Sequence, residues 1–424
     1  MTDERIDALI RRLDVSSDPD PGFVQSTYAA LLPRARAARV GDASRIGRIA
    51  RDLRLLVVGA RWPSTARPVG MVGLVVLLIV ATMVALAIVG ALNRVQPIRN
   101  GPLIVSIGGE LQAIDVVDGS VRTILPPGDS AKGVSRSPDG RLVAFWTFDG
   151  GRSHLWVIGV DGRDRRELAS DLRLGWTNAI DVWSSDSRLL ATEAFLDGGS
   201  ARIVVTDVNA GTARAMTPPG IIAHSPLWSP DDHWIAFTKE RGAGRSLVVI
   251  RTDGSDMRTV SGDIVGVAGP DTWSPDGTWI YFDANPTLGT RTDNGVYRAN
   301  VAGNFSELLI GNGKALDAAF APASSPDGKL IVFTVPRSDR QASDLYIANS
   351  DGTGSHRLLE RATHDGWSVD GRYILTEWTP ADQPGGLAII TPDGSDFRVL
   401  LPFDACVRNG SGCTDGVGWG LPRP

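Results

Sequence analysis

Short segments of alternating apolar and polar residues recur along residues 101–424, and each follows a tight-turn sequence. In WSPDGTWIYF, residues 273–282, Pro275 suits the second position of a type I turn and Gly277 tolerates a positive φ at the fourth. The residues after the turn are rich in β-branched and aromatic side chains, which favours a strand. Near-copies lie at 136–145, 183–192, 228–237, 324–333 and 367–376. The repeat is therefore interpreted as a folding element and not as a catalytic or binding signature.

Each repeat unit predicts four short strands. A further strand usually follows the copy, as at 154–160, 246–252, 344–350 and 386–392, and ends in an Asp-Gly or equivalent turn. The next strand carries a stereotyped sequence such as RRELA, MRTVS, HRLLE or FRVLL. The fourth strand of the unit is the one that leads into the repeat tryptophan. A unit of this kind cannot bury its apolar faces alone, so neighbouring units must stack.

The period of the repeat predicts a β-propeller. The residues at the tryptophan position are Arg136, Trp183, Trp228, Trp273, Ser324 and Trp367, with spacings of 47, 45, 45, 51 and 43 residues. A period in the mid-forties with four strands per unit is typical of propeller blades. We expect the tryptophans to lie between neighbouring blades.

The two ends of this region predict how the ring closes. Residues 102–125 contain three strands but no tryptophan-bearing first strand, and Trp419 lies in a short segment that supplies one. A strand at 415–420 would therefore complete the first blade. This gives an all-β fold of seven blades over 101–424, or six if the divergent unit 179–217 is not a full blade.

These motifs resemble the repeats of the TolB-like propeller family, which also occur in the N-terminal propellers of prolyl oligopeptidase-type peptidases. The resemblance implies an extracytoplasmic scaffold for protein interactions. The chain departs from soluble TolB because it has a predicted uncleaved anchor and no separate α/β domain before the propeller. A peptidase of the oligopeptidase type needs a Gly-x-Ser-x-Gly sequence, and the chain has none. It also has no HExxH, Walker or EF-hand sequence.

Residues 69–92 form an uncharged apolar run, which is long enough to cross a bilayer and predicts a transmembrane helix. Nine arginines lie between Arg34 and Arg67, whereas only Arg94 and Arg99 follow closely. By the positive-inside rule, residues 1–68 are cytoplasmic, 93–100 form a linker, and the propeller lies outside the cell membrane.

The segment 1–68 predicts short helices at 3–14, from Pro21 to about Leu32, and at 44–58. In the last of these, Arg48, Arg51 and Arg54 lie opposite an apolar arc. Such a helix can lie on the anionic inner leaflet, or it can be a solvated helix whose arginines only fix topology. Both interpretations remain open.

The charge distribution excludes nucleic acid as a partner of the propeller. The formal net charge is −5, yet residues 1–68 hold twelve Arg against eight acidic residues. The rest of the chain is acidic, whereas phosphate binding needs clustered basic residues. The only cysteines, Cys406 and Cys413, are predicted to form a disulfide in an oxidising compartment, with free thiols as the alternative.

One set of polar residues could converge in the central channel, which the first strands line. Its members lie two or four residues before a tryptophan, and they are Asp181, His224, Asp271, Asp365 and Asp415. An acidic ring would bind a cation, with calcium as the first candidate, or a basic peptide. Alternatively, each Asp only caps its own loop or bonds the backbone of a neighbouring blade. The polar loops 283–295 and 335–344 are further candidates for binding.

Three functions follow from this reading. The first is a membrane-anchored, non-catalytic scaffold for a protein or peptide outside the cell membrane. The second is a signalling protein with a cytoplasmic regulator bound at 1–68, because the layout resembles that of membrane-bound anti-sigma factors. Residues 1–92 contain no Cys or His, however, so the zinc-binding pattern of many such proteins is missing. The third is a hydrolase or lyase that uses the channel residues.

Overall fold

The computed structural model describes the chain as a series of short strands. The description covers 101–128, 130–175, 182–196, 199–286, 294–303, 305–311, 316, 318–338 and 342–402, with the backbone of 417–418. All of these residues belong to the compact unit Pro97–Pro424. The predictions made for residues 1–100 lie outside this description, as do Cys406 and Cys413. Within the described ranges, no helix is long and apolar enough to cross a membrane.

The strands are numbered in chain order and grouped into blades. Blade 1 contains β1 (Leu103–Ile107), β2 (Glu110–Ile114) and β3 (Val121–Leu125). Blade 2 contains β4 (Lys132–Arg136), β5 (Leu142–Asp149), β6 (Arg152–Gly159) and β7 (Arg166–Leu168). Blade 3 contains β8 (Leu174–Gly175), β9 (Leu189–Leu196), β10 (Ser200–Asp207) and β11 (Ala213–Ala215).

The remaining blades repeat the same order. Blade 4 contains β12 (Ala223–Trp228), β13 (Trp234–Arg241), β14 (Gly244–Arg251) and β15 (Arg258–Thr259). Blade 5 contains β16 (Val267–Trp273), β17 (Trp279–Ala284), β18 (Gly295–Asn300) and β19 (Phe305–Gly311). Blade 6 contains β20 (Phe320–Ser324), β21 (Leu330–Pro336), β22 (Ser343–Asn349) and β23 (His356–Leu359). Blade 7 contains β24 (Ala362–Trp367), β25 (Ile374–Trp378), β26 (Gly386–Ile390) and β27 (Phe397–Pro402).

The last strand completes the first blade. β28 (Val417–Gly418) pairs antiparallel with β1, with Val417 opposite Val105. Leu103 and Val105 of β1 also pack against Leu375 and Leu387 of blade 7, so an apolar seam joins the first and last blades. The predicted propeller of seven four-stranded blades is confirmed.

Blade 3 is the divergent unit that the sequence indicated. Leu174 of β8 pairs with both Ser153 and Ala194, so blades 2 and 3 form one continuous sheet. Trp183 belongs to no strand, and its backbone pairs with that of Leu190 through an isolated β-bridge. The unit nevertheless forms a blade, and the six-bladed alternative is excluded.

The repeated turn has one hydrogen-bond pattern in all six copies. Ser274 Oγ donates to Asp276 at 2.5 Å and accepts the N–H of Trp279 at 2.9 Å. The equivalent Ser–Asp distances in the other copies are 2.6 to 2.8 Å. Gly277 has a φ of +70°, a conformation that glycine adopts without strain. Local backbone geometry therefore accounts for the Ser, Asp and Gly of the repeat.

Two copies place another residue where the others have glycine. Ser187 and Asp232 have φ values of +61° and +57°. The Oγ of Ser187 accepts the N–H of Asp139 in the turn of blade 2 at 3.0 Å. The carboxylate of Asp232 accepts the N–H of Ser185 in the turn of blade 3 at 2.8 Å. At these two positions a side chain therefore links the turns of consecutive blades.

The described repeat tryptophans are buried between blades. The Nε1–H of Trp228 donates to the carbonyl of Val182 in blade 3 at 2.9 Å. The equivalent bonds join Trp183 to Ser135 at 3.3 Å and Trp367 to Ala323 at 3.0 Å. Trp273 is also buried, but its Nε1 atom has no hydrogen-bond partner among the described residues. Trp419 lies outside the described residues.

Arginines of the outer strands join most consecutive blades, in a contact that we call the arginine clasp. Each donates from a guanidinium nitrogen to a carbonyl that follows the third strand of the next blade. The clasps are Arg122 to Val160 (2.8 Å), Arg166 to Val208 (3.3 Å), Arg214 to Thr252 (2.6 Å) and Arg258 to Val301 (3.0 Å). This contact explains the arginine in RRELA and MRTVS, two of the stereotyped outer-strand sequences.

The clasp changes in the last three blades. Glu307 of β19 stands opposite Arg298, which takes over the contact by donating to the Ser350 carbonyl at 3.4 Å. His356 stands at the equivalent register position in blade 6. Arg398 of blade 7 lies 3.4 Å from Asp396 of its own blade, and no clasp from it to blade 1 occurs among the described residues.

Candidate functional site

The candidate site lies near the face of the propeller where second strands end. In an antiparallel blade the first strand begins, and the second ends, at the same face. We call this the loop face, because the predicted loops 283–295 and 335–344 leave from it; the structure describes these two loops in part. The repeated turns lie at the opposite face, which we call the turn face.

Of the five predicted channel residues, three lie within the described residues, and their surroundings differ. Asp181 and Asp415 lie outside the described residues. Asp271 and Asp365 are located on the innermost strands of blades 5 and 7, and each has an acidic neighbour on the second strand of its own blade. His224 lies on the first strand of blade 4 and contacts an acidic residue of blade 3.

Sequence reasoning missed the second-strand acids. They are Glu193, Asp283 and Glu377, and each lies nine residues after the serine of a repeated turn. All three occur in units that also have an Asp two residues before the tryptophan. This coincidence was visible in the sequence and could have identified them.

In blade 5 the acidic pair is Asp271 and Asp283. The pairing of β16 with β17 is shifted by a bulge between Pro270 and Thr272, and Asp271 Oδ2 accepts the N–H of Asp283 at 2.9 Å. Asp271 thus bonds the backbone of its own blade, and not that of a neighbouring blade. Burial, with repulsion from Asp283, also raises the pKa of Asp271 well above its ordinary value. Both effects favour the protonated form of the Asp271 carboxyl group.

In blade 7 the acidic pair is Asp365 and Glu377. Burial, with the negative charge of Glu377, raises the pKa of Asp365 to about 8. The Oδ2 atom of Asp365 is buried and has no hydrogen-bond partner among the described residues. A buried carboxyl oxygen without a partner is unusual, because leaving it unsatisfied is costly.

His364, next to Asp365, is a neutral imidazole. Its Nε2–H donates to the Ala321 carbonyl of blade 6 at 2.6 Å, which fixes the tautomer. Burial lowers the pKa of His364 to about 4. Its Nδ1 is then a buried acceptor, and it too has no partner among the described residues. Blade 7 therefore presents two buried polar atoms without a hydrogen-bond partner among the described residues, and they belong to consecutive residues.

His224 joins two blades. Its Nδ1 lies 3.0 Å from Glu193 Oε2, and Glu193 Oε1 accepts the N–H of Ser225 at 2.8 Å. Ser225 has a φ of +56° within the bulge between β12 and β13. The Nε2 atom of His224 lies 3.6 Å from a carboxylate oxygen of Glu240. These contacts make His224 and Glu193 a bridge between blades 3 and 4 near the loop face.

Within the described residues, no group of three or more His, Cys, Asp or Glu side chains is arranged to hold a metal ion. The acids occur as pairs within blades, whereas calcium takes six to eight oxygen ligands. Calcium binding in the channel stays a prediction. What the pairs can do is accept hydrogen bonds from a cationic donor or exchange a proton.

The comparisons with known proteins identify the fold. No family model matches the chain. A putative TolB from Agrobacterium tumefaciens is 20% identical, covering 66% of this chain and 99% of that one, with a TM-score of 0.47. An oligogalacturonate lyase in complex with manganese is 18% identical over 70% of this chain and 84% of that one, with a TM-score of 0.52.

A prolyl endopeptidase structure is 13% identical, with a TM-score of 0.53. The match covers 70% of this chain and 49% of the endopeptidase chain. At these identities the similarities show the fold alone. The chain therefore has a seven-bladed β-propeller, and its fold is similar to that of proteins named as a lyase and as an endopeptidase.

Proposed function

We propose that the protein is a non-catalytic binding scaffold whose loop face accepts a cationic segment of a protein partner. The observation that carries the proposal is the buried Oδ2 atom of Asp365, which lies beside Glu377 on the inner strands without a hydrogen-bond partner. The pair formed by Asp271 and Asp283 places two acids on the equivalent strands two blades away, where Asp271 Oδ2 accepts a backbone N–H.

A lysine or arginine side chain matches this chemistry. Ammonium and guanidinium groups supply only donors, and they carry the positive charge that offsets repulsion between paired carboxyls. An anionic partner would add to that repulsion instead. A basic peptide segment is therefore the partner class that the paired acids favour.

The proposal keeps the predicted topology. With residues 69–92 as an anchor and the arginines on the cytoplasmic side, the loop face would bind a partner outside the cell membrane. Residues 1–68 would then set the topology, and a cytoplasmic regulator is not required.

The test is calorimetric titration of the full chain with pentalysine, and with pentaglutamate as the charge-reversed probe. We expect pentalysine alone to bind, and the double variant Asp271→Asn with Asp365→Asn to weaken binding about tenfold or more. Asp164→Asn is the matched control, because Asp164 is exposed at the turn face and Asn also tolerates its φ of +56°. Equal binding by all three proteins, or none by the wild type, would refute the proposal.

Catalysis in the channel is the second candidate, because Asp365, whose pKa is raised to about 8, lies beside the carboxyl group of Glu377. Such pairs divide the roles of general acid and general base. The similarity to an oligogalacturonate lyase suggests oligogalacturonate as the first substrate to try. Formation of an unsaturated product by the wild type, and its loss in Asp365→Asn, would support this candidate over the scaffold.

A further inference from the structure

Within the described ranges, the large apolar side chains exposed at the loop face belong to three consecutive blades. Among the described large apolar residues, Phe148 is 42% exposed, Phe195 is 37% exposed and Ile222 is 36% exposed. Phe148 and Phe195 are the penultimate residues of β5 and β9, and Ile222 directly precedes β12. All three therefore lie at the loop face of blades 2, 3 and 4.

These residues flank two neighbouring grooves between blades. β8 lies between β6 and β9, so it separates Phe148 from Phe195 within one sheet. Phe195 shares its side of β9 with Ala191, which packs against Ala223 of blade 4. Ile222 precedes Ala223, and its carbonyl accepts the N–H of Glu240 at 3.1 Å. Phe195 and Ile222 therefore border the same groove.

Two half-buried leucines lie at the same face. Leu172 and Leu196 pack against the core cluster between blades 2 and 3. With Phe148, Phe195 and Ile222 they form what we call the apolar crescent. Exposed apolar residues that are scattered singly have no special meaning, whereas their concentration at one face of three neighbouring blades, beside polar groups, indicates an interaction site.

Charges at the crescent indicate what can cover it. The Arg173 guanidinium lies 5.4 Å from the centre of the Phe195 ring, so this ring already receives a cation. The carboxylates of Asp149 and Glu240 are 82% and 46% exposed at its edges. Glu193 lies two residues before Phe195 on β9, on the bridge between blades 3 and 4. Lys239 and Arg241 flank Glu240, so the edge is mixed while the inner strands are acidic.

We propose that the apolar crescent docks aromatic or aliphatic side chains of the same protein segment whose lysines or arginines enter the channel mouth. The occupant is thus an extended peptide segment that is both apolar and basic. The inference rests on the proposed function, because the acidic pairs supply the charge complementarity. A second copy of this chain fits less well, since residues 69–424 carry 31 basic and 40 acidic residues and two copies would repel one another.

The test selects peptides instead of presuming a sequence. A phage library of random 12-residue peptides is panned against the full chain, and affinities of the recovered peptides are measured for the wild type and for variants. Phe195→Ser with Ile222→Ser removes the shared groove, and Asp271→Asn with Asp365→Asn removes the acids. Phe305→Ser is the control, because Phe305 is 51% exposed at the turn face.

We expect recovered peptides to be enriched in both apolar and basic residues. Their affinity should fall about tenfold in each double variant, as for an interface hot spot, and stay unchanged in Phe305→Ser. If basic peptides bind the Phe195→Ser, Ile222→Ser variant with wild-type affinity, the apolar crescent is not their docking site, and the proposed function still stands. Peptides without basic residues, or no recovered peptides, would overturn both. A wild-type dimer in sedimentation that the groove variant abolishes would assign the crescent to a second copy, against the inference.

Discussion

Asp365 lies beside Glu377 on the two inner strands of blade 7, and burial together with that neighbouring charge raises the pKa of Asp365 to about 8. Because the carboxyl group holds a proton more tightly in the folded chain than in the unfolded one, folding is linked to proton uptake. The free energy of unfolding should therefore fall as the pH rises from the ordinary pKa of Asp towards 8.

Asp365→Asn should remove this pH dependence, because the amide cannot ionise. The variant should be more stable than the wild type at pH 9, by about 1 kcal/mol or more, with a smaller difference at pH 5. Urea unfolding at several pH values measures this. Asp164→Asn is the control, and a constant difference between Asp365→Asn and the wild type at every pH would contradict the prediction.

His154 should titrate above its ordinary range. Its Nδ1 lies 2.7 Å from Glu167 Oε1 and its Nε2 lies 3.2 Å from Asp149 Oδ1. The hydrogen bond to Glu167 is the main cause that raises the pKa of His154, and Asp149 adds to it. The stabilisation from the charged imidazole is then fully present below the ordinary pKa of 6.5 and lost as the pH rises through the raised pKa.

The measurement for His154 is an NMR titration of its ring protons, assigned by their loss in His154→Gln. The midpoint should lie above 6.5 in the wild type and should move down in Glu167→Gln. Asp149→Asn should move it less. A midpoint that does not respond to Glu167→Gln would show that this carboxylate is not the cause.

The arginine clasp should contribute to stability where it is made. Arg258→Met removes the 3.0 Å bond to the Val301 carbonyl and the contact 4.6 Å above the Trp234 ring. We expect a loss of about 1–2 kcal/mol in the free energy of unfolding. The matched control is Arg398→Met, because Arg398 contacts the Tyr373 ring at 5.1 Å but makes no clasp among the described residues. Equal losses of unfolding free energy in Arg258→Met and Arg398→Met would mean that the clasp does not contribute to stability.

Two buried tryptophans offer a comparison of the same kind. Trp228→Phe removes a 2.9 Å hydrogen bond and leaves the Val182 carbonyl without that donor, whereas Trp273 Nε1 has no partner within the described residues. Both substitutions remove similar apolar area. Trp228→Phe should therefore cost about 1 kcal/mol more than Trp273→Phe in chemical unfolding. The reverse order would mean that packing, and not the hydrogen bond, sets the difference.

The blades could be predicted because their signals are local. The Ser274–Gly277 turn, the strand after it and the period between tryptophans depend on residues close in sequence, and the structure has these strands. Pairing across a bulge is not local. The contact of Asp271 with Asp283 depends on the register shift between β16 and β17, which the sequence pattern does not specify.

Contacts between blades were the other part that the sequence could not supply. Arg258 and Val301 are 43 residues apart, and only the ring geometry brings them together. The sequence showed that an arginine recurs in the outer strands, but it did not show which residue the arginine contacts. Likewise, His224 was expected as a channel residue, and its contact with Glu193 of the preceding blade could not be read from the repeat.

The two turns without glycine have a consequence for how such a ring can evolve. Asp232 and Ser187 accept bonds from the turns of the blades before them, so their positive φ is retained together with a specific neighbour. A repeat that carries such a residue is adapted to one position in the order of blades. If blades 2, 3 and 4 were duplicated, deleted or reordered, Ser187 and Asp232 would lose their hydrogen-bond partners. Glycine is then the residue expected at these two positions, because it adopts a positive φ without strain.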